Sequence, residues 1–280
     1  MLLDRLFALV TGLFVVLTVG VGLLLMSYGV NQPVVDVANA FVPGFLSSAG
    51  GLTGGAIDKG EARQRIETLI AQTPEYSPFF ARLRETFTAE YEAALADFAE
   101  HMVETREEPG ADYYLSEAMR RLRQSRGAKA AHAAPEPIAA VFERQLDVLR
   151  AAALEDKHMC VAFLYGATNA DFQSFAATRR ALVGAMALAG LDAIASGEAK
   201  AIQREPPTEA DFKVLETALA GRGLGQVEID TLLDGKQPDP PLDDARMCGA
   251  GQTYFEVLKT LPEPARTKVY GLALELMARS

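Results

Sequence analysis

SPFFARLRETFTAEYEAALADFAEHM, residues 77–102, decides the fold class. Phe80, Leu83, Phe87, Tyr91, Ala94, Phe98 and Met102 recur at spacings of three and four. That is the period of a helix with one apolar face turned to a core. Ser77 followed by Pro78 reads as an N-cap with proline at the first helical position, and Pro109-Gly110 reads as the stop. The stripe predicts a single helix whose aromatic side chains are core rather than a cofactor box.

The same period recurs on both sides of this stretch. Helices are expected over 58–72, 113–124, 138–154, 170–195, 210–220, 226–233, 242–261 and 265–278. In 138–154, Ile138, Val141, Phe142, Gln145, Leu149 and Ala153 share one face, and Thr208-x-x-Asp211 resembles a capping box. Alanine is abundant, tryptophan is absent, and no run alternates with period two long enough for a sheet. The expected class is all-α.

Toward the N-terminus the composition changes. Residues 6–30, LFALVTGLFVVLTVGVGLLLMSYGV, hold no charged side chain. A membrane helix needs roughly 20 apolar residues. This stretch is expected to anchor the chain by a single span. Arg5 and the free amine precede it, and no Lys or Arg occurs between Val30 and Lys59. The asymmetry predicts a cytoplasmic N-terminus and a helical domain on the outer, periplasmic-type side of an inner (plasma) membrane. A cleaved signal peptide is the rival, with Ala38-Asn39-Ala40 as an A-x-A site and Phe41 as the new terminus. The length of the apolar run, and the site's distance beyond it, count against cleavage. Burial of 6–30 in a soluble core is the third reading. Thr18 and Gly22 form a small-xxx-small pair that suits a homodimer of membrane helices.

The expected organisation is therefore 1–30 as cytoplasmic tip and anchor, 31–57 as juxtamembrane linker, and 58–280 as the helical domain. Residues 127–137, GAKAAHAAPEP, read as an internal linker and a possible subdomain boundary. The apolar run 181–195 is too short to cross a membrane and carries Asp192, so it reads as a buried helix.

Net charge is −10, all of it beyond the anchor because Asp4 and Arg5 cancel. An acidic domain is repelled by phosphate backbones and anionic lipid, so nucleic acid is not an expected partner. Arg120, Arg121, Arg123, Arg126 and Lys129 are a local exception, read as a solvated helix end or as a patch for phosphate or an acidic partner.

One internal echo stands out. Residues 154–160 (LEDKHMC) and 242–248 (LDDARMC) share L-[DE]-D-x-x-M-C, followed two residues on by Ala162 and Ala250. The likeness resumes at 180–188 and 266–274, placing the cysteines 88 residues apart and Gly184 and Gly271 87 apart. Either alanine-rich helices look alike by chance, or a helical hairpin has been duplicated, each copy opening on an Asp-capped helix with a cysteine in its first turns. Cys160 and Cys248 are the chain's only cysteines. Outside an inner membrane the pair reads as a disulfide. Two separate buried thiols, or a metal or redox site, are the other readings.

Catalytic signatures are sparse. His158-x-Cys160 has no accompanying CxxC or HExxH, and Gly221-Arg-Gly-Leu-Gly225 has neither a preceding strand nor a following lysine. Glu117 is a nominal general acid, and the aspartates at 230, 234, 239, 243 and 244 read as a solvated acidic loop. No catalytic, cofactor or metal site is assigned. The expected function is a membrane-anchored interaction or scaffolding module with protein partners in the envelope. The alternative is an envelope enzyme or small-ligand binder with a pocket between helices.

Overall fold

The computed structural model describes residues 57–166, 170–236 and 238–279. The expected anchor with Thr18 and Gly22, the Ala38-Asn39-Ala40 site and the linker before residue 57 lie outside the described residues. Those described form 12 α-helices and one 3-10 helix, with no strand among them. The domain is all-α, as its periodicity requires.

Asp58 caps α1 (Lys59–Ala71) by accepting from Glu61 N–H at 2.8 Å, and Ala62, Ile66 and Ile70 form its buried stripe. The 77–102 pattern is two helices rather than one, α2 (Ser77–Thr86) and α3 (Thr88–Thr105). Phe87 breaks the run at φ −130°, ψ 60°. All seven stripe residues are nevertheless buried. An unbroken helix of that length would run about 40 Å at 1.5 Å per residue. The bend instead lays α2 against the central helix described below and α3 against α1. Tyr76, not Ser77, is the N-cap of α2, and the Ser77 hydroxyl donates to Ile70 O at 3.0 Å. Arg106, at φ 57°, ends α3 three residues before Pro109.

α4 (Ala111–Arg126) runs directly into η1 (Gly127–His132), the 3-10 helix. Here the expected linker is corrected. Gly127, Ala130, Ala131 and Ala133 are buried, and η1 packs between two long helices, α8 and α12, introduced below. Small side chains that read as flexible in sequence let backbones meet here. The segment 196–204 stitches it in place. Ile202 N–H donates to His132 O at 2.8 Å, Ala134 N–H to Ser196 Oγ at 3.0 Å, and the Arg204 guanidinium to Ala131 O and Ala133 O.

α5 (Pro135–Glu155) buries Ile138, Val141, Phe142, Leu146 and Leu149, with Phe142 stacked on Tyr270 at 4.0 Å. α6 (Lys157–Leu164) follows with a sharp turn at Asp156. The helix expected over 170–195 is two, α7 (Ala170–Thr178) and α8 (Arg180–Ala199), parted at Arg179. α8 is apolar enough by length and composition to cross a membrane. In the fold it is the central strut, with α2, α4, α5, α7 and η1 packed around it, and Asp192 pairs with Arg82 at 3.0 Å. Two glycines permit its close contacts. A Cβ on Gly184 would lie 2.4 Å from Glu75 O, and one on Gly197 only 1.8 Å from Lys129 O.

α9 (Glu209–Gly221), α10 (Gln226–Asp234), α11 (Asp244–Thr260) and α12 (Glu263–Arg279) complete the domain. Thr208 and Asp211 form the full reciprocal capping box of α9. Gly223, at φ +91°, makes the turn after it, in a conformation other residues rarely adopt. The glycine-rich 221–225 stretch is thus a helix terminus and turn.

Candidate functional site

The two echo segments meet. Asp156 caps α6 through His158 N–H, and Asp243 caps α11 through Arg246 N–H, each at 2.8 Å. Both carboxylates accept an orphan first-turn donor, which is why aspartate suits these positions. The helices start side by side. His158 Nδ1 lies 3.0 Å from Asp244 Oδ2, Cys160 is bonded to Cys248, and Leu164 covers Gly251. The pairing offsets of 86, 88 and 87 residues describe two parallel helices in near-constant register. A Cβ on Gly251 would sit 2.6 Å from Leu164 Cδ2, so glycine makes room for the Leu164 side chain.

The repeat is not a copy in length. α6 has 8 residues and α11 has 17, and the caps fall one position out of register with the echo. The later halves of the two echo segments lie on α8 and α12, which both pack on η1.

Both cysteines are buried at 0% exposure and closed in one disulfide, so Cys160 has no thiolate to offer a metal beside His158. Gln252 Nε2 points at Cys248 Sγ from 3.4 Å. The arrangement staples two helix starts.

The other residues singled out in the sequence are engaged elsewhere. Arg120 pairs with Glu117, Arg121 with Glu117 and Asp97, Arg126 with Glu90 and Glu198, and Lys129 with Glu198. Arg123 alone of the five makes no ion pair among the described residues. The basic run therefore presents little net positive charge to a phosphate. Glu117 sits the wrong way for an acid catalyst. Its hydrogen bond from Arg120 holds the carboxyl below the ordinary range, overriding partial burial, so it stays ionised at neutral pH. The expected acidic loop is helical over much of its length: Asp230 and Asp234 lie on α10, where Lys236 bridges them at 2.9 Å each, Asp243 caps α11, and Asp244 in its first turn faces His158. No group of three or more His, Cys, Asp or Glu is placed to hold a metal among the described residues. An open groove of about 390 Å³ runs along α1, lined by Glu61, Gln64, Arg65, Thr68, Leu69, Gln72 and Glu108. Arg65 spans it, paired with Glu61 and Glu108.

Sequence reading missed a joint at the N-terminal end of α8. The buried Tyr76 hydroxyl donates to Asp112 Oδ1 at 2.6 Å, while Arg180 donates to both Asp112 oxygens, at 3.1 and 2.7 Å. Three helix starts are tied through one carboxylate. Burial pushes the Asp112 pKa up, the hydrogen bonds from Arg180 and Tyr76 outweigh it, and the net shift is downward. Burial and the neighbouring carboxylate push the Tyr76 phenol up, keeping it a donor. Nothing in the spacing of 76, 112 and 180 announces the contact.

No family model matches the chain, and no curated protein or solved structure matches it.

Proposed function

We propose that the chain is a non-catalytic interaction or scaffolding protein, tethered by residues 6–30 with its N-terminus in the cytoplasm. Its helical domain faces the outer side of an inner membrane and takes protein partners of that compartment, with a homodimer formed through Thr18 and Gly22. The observation that carries this reading is the Cys160–Cys248 bond in the core. Disulfides of this kind persist in oxidising compartments and are rare in reducing ones. It agrees with the charge asymmetry around 6–30. The scaffold half rests on the use of the charged groups, since four of the five residues of the basic run, Glu117 and Asp112 are spent on ties within the fold. Leu154, 89% exposed at the end of α5, and the half-exposed Val214 and Val227 offer apolar points for contact.

Orientation is read from a reporter, because both native cysteines are buried. Leu154→Cys places a thiol on the surface, and in intact cells with a permeabilised outer layer an impermeant maleimide is expected to label it. Labelling only after lysis overturns the outward placement. Crosslinking in membranes is expected to capture a discrete partner, and a chain that stays solitary under several conditions overturns the scaffold.

A further inference from the structure

We infer that the Cys160–Cys248 bond is a latch on α6, whose reduction opens this one helix while the rest of the core stays folded. The inference stands on packing within the domain and does not depend on the compartment or on the partner.

The two helices joined by the bond are held very unequally. α11 buries Met247, Cys248, Ala250, Gly251, Phe255, Val257 and Leu258 along its length. α6 buries only Met159 and Cys160, and Val161 to Leu164 are half-covered. Eight residues are too few for a helix to persist on its own, since isolated helices below roughly 12–15 residues are marginal. Without the bond, α6 keeps Met159, the seat of Leu164 on Gly251, the Phe163–Phe172 stack at 5.2 Å, and two polar contacts at its exposed start, His158 with Asp244 at 3.0 Å and Lys157 Nζ with Ala153 O at 2.6 Å.

The ends of α6 are shaped as pivots. Asp156 is at once the C-cap of α5 and the N-cap of α6, with extended backbone at φ −152°, ψ 130°. Rotation there leaves the hydrogen bonds of α5 intact. Gly166, at φ +80°, lies two residues beyond the last turn. Swinging α6 away uncovers the Met247–Gly251 face of α11, an apolar strip otherwise hidden.

Reduction needs a dithiol. Its thiolate attacks one sulfur, the Cys160–Cys248 bond breaks, and the released cysteine thiolate takes up a proton. The second thiol then resolves the mixed disulfide, so the reductant leaves as a cyclic disulfide and two electrons remain on the two cysteines. Because both sulfurs are buried, attack follows a transient local opening of α6.

The test is hydrogen exchange on the full chain in detergent, oxidised and after reduction with dithiothreitol, with Cys160→Ser/Cys248→Ser as a second route free of alkylation. Exchange of the 160–164 amides is expected to rise by at least about an order of magnitude more than that of α3 and α8, whose exchange follows the global stability alone. Trypsin cleavage at Lys157 is expected only after reduction. Unchanged α6 protection after reduction overturns the latch. A rise of equal size across α3, α8 and α6 overturns it too, because the bond would then act on the whole fold alone.

Discussion

Gly197→Ala puts the centre of the fold to a direct test. In an ordinary helix interior the change stabilises by about 0.5–1 kcal/mol, since alanine restricts the unfolded chain and favours helix. Here the new methyl would lie 1.8 Å from Lys129 O, 2.8 Å from Lys129 C and 3.2 Å from Ala133 N. All three are backbone atoms, so no side chain can rotate aside, and α8 or η1 must move by more than an ångström. Forced repacking of that kind costs typically 1–3 kcal/mol and sometimes more, so a net loss of about 2–3 kcal/mol is expected. At roughly 2–4 °C per kcal/mol for a domain of this size, Tm falls by about 4–12 °C. Gly249→Ala is the matched control, exposed on α11 with nothing within 4 Å of the added methyl, and it is expected to gain about 0.5–1 kcal/mol. The assay is urea and thermal unfolding of both variants beside the parent. If Gly197→Ala is as stable as Gly249→Ala, η1 does not sit on α8 and the architecture is wrong.

Asp112→Ala removes the acceptor of the buried Tyr76 hydroxyl and the partner of Arg180, and is expected to cost about 1–3 kcal/mol in urea titration. The same carboxylate sets an acid limb. Its folded pKa is depressed, so its contribution is present above the ordinary carboxylate range and is lost as pH falls through it. The parent should therefore lose stability more steeply than Asp112→Ala below about pH 4, and parallel curves would refute that role. Cys160→Ala/Cys248→Ala opens an 88-residue loop and is expected to lower global stability by up to about 4–5 kcal/mol, read from the urea midpoint. Arg120→Ala removes the bonds to Glu117 and Gln124 while Glu117 keeps Arg121, and is expected to change stability by less than about 1 kcal/mol, in contrast to Asp112→Ala.

The sequence by itself determined the class of the fold and much of its local grammar. The 3.6-residue period of Phe80 to Met102 marks a buried helical face whether or not the helix bends, because burial follows the side of the chain and not its straightness. Asp58, Thr208 and Asp211 act as caps because their carboxylates and hydroxyls satisfy donors within a few residues, a local matter. The cysteine pair was legible because two cysteines admit one intramolecular bond. Tertiary structure alone decided what lies between the elements. Phe87 and Arg179 interrupt periodic runs without proline or glycine, so the breaks come from where α2 and α8 must pack. η1 reads as a linker because alanine and glycine carry no hydrophobic signature, yet small residues are what let it lie against α8 at Gly197 and against α12 at Gly127. The tie of Tyr76, Asp112 and Arg180 joins residues up to 104 positions apart. Such a contact exists only once three helix starts converge, and no spacing along the chain encodes that convergence.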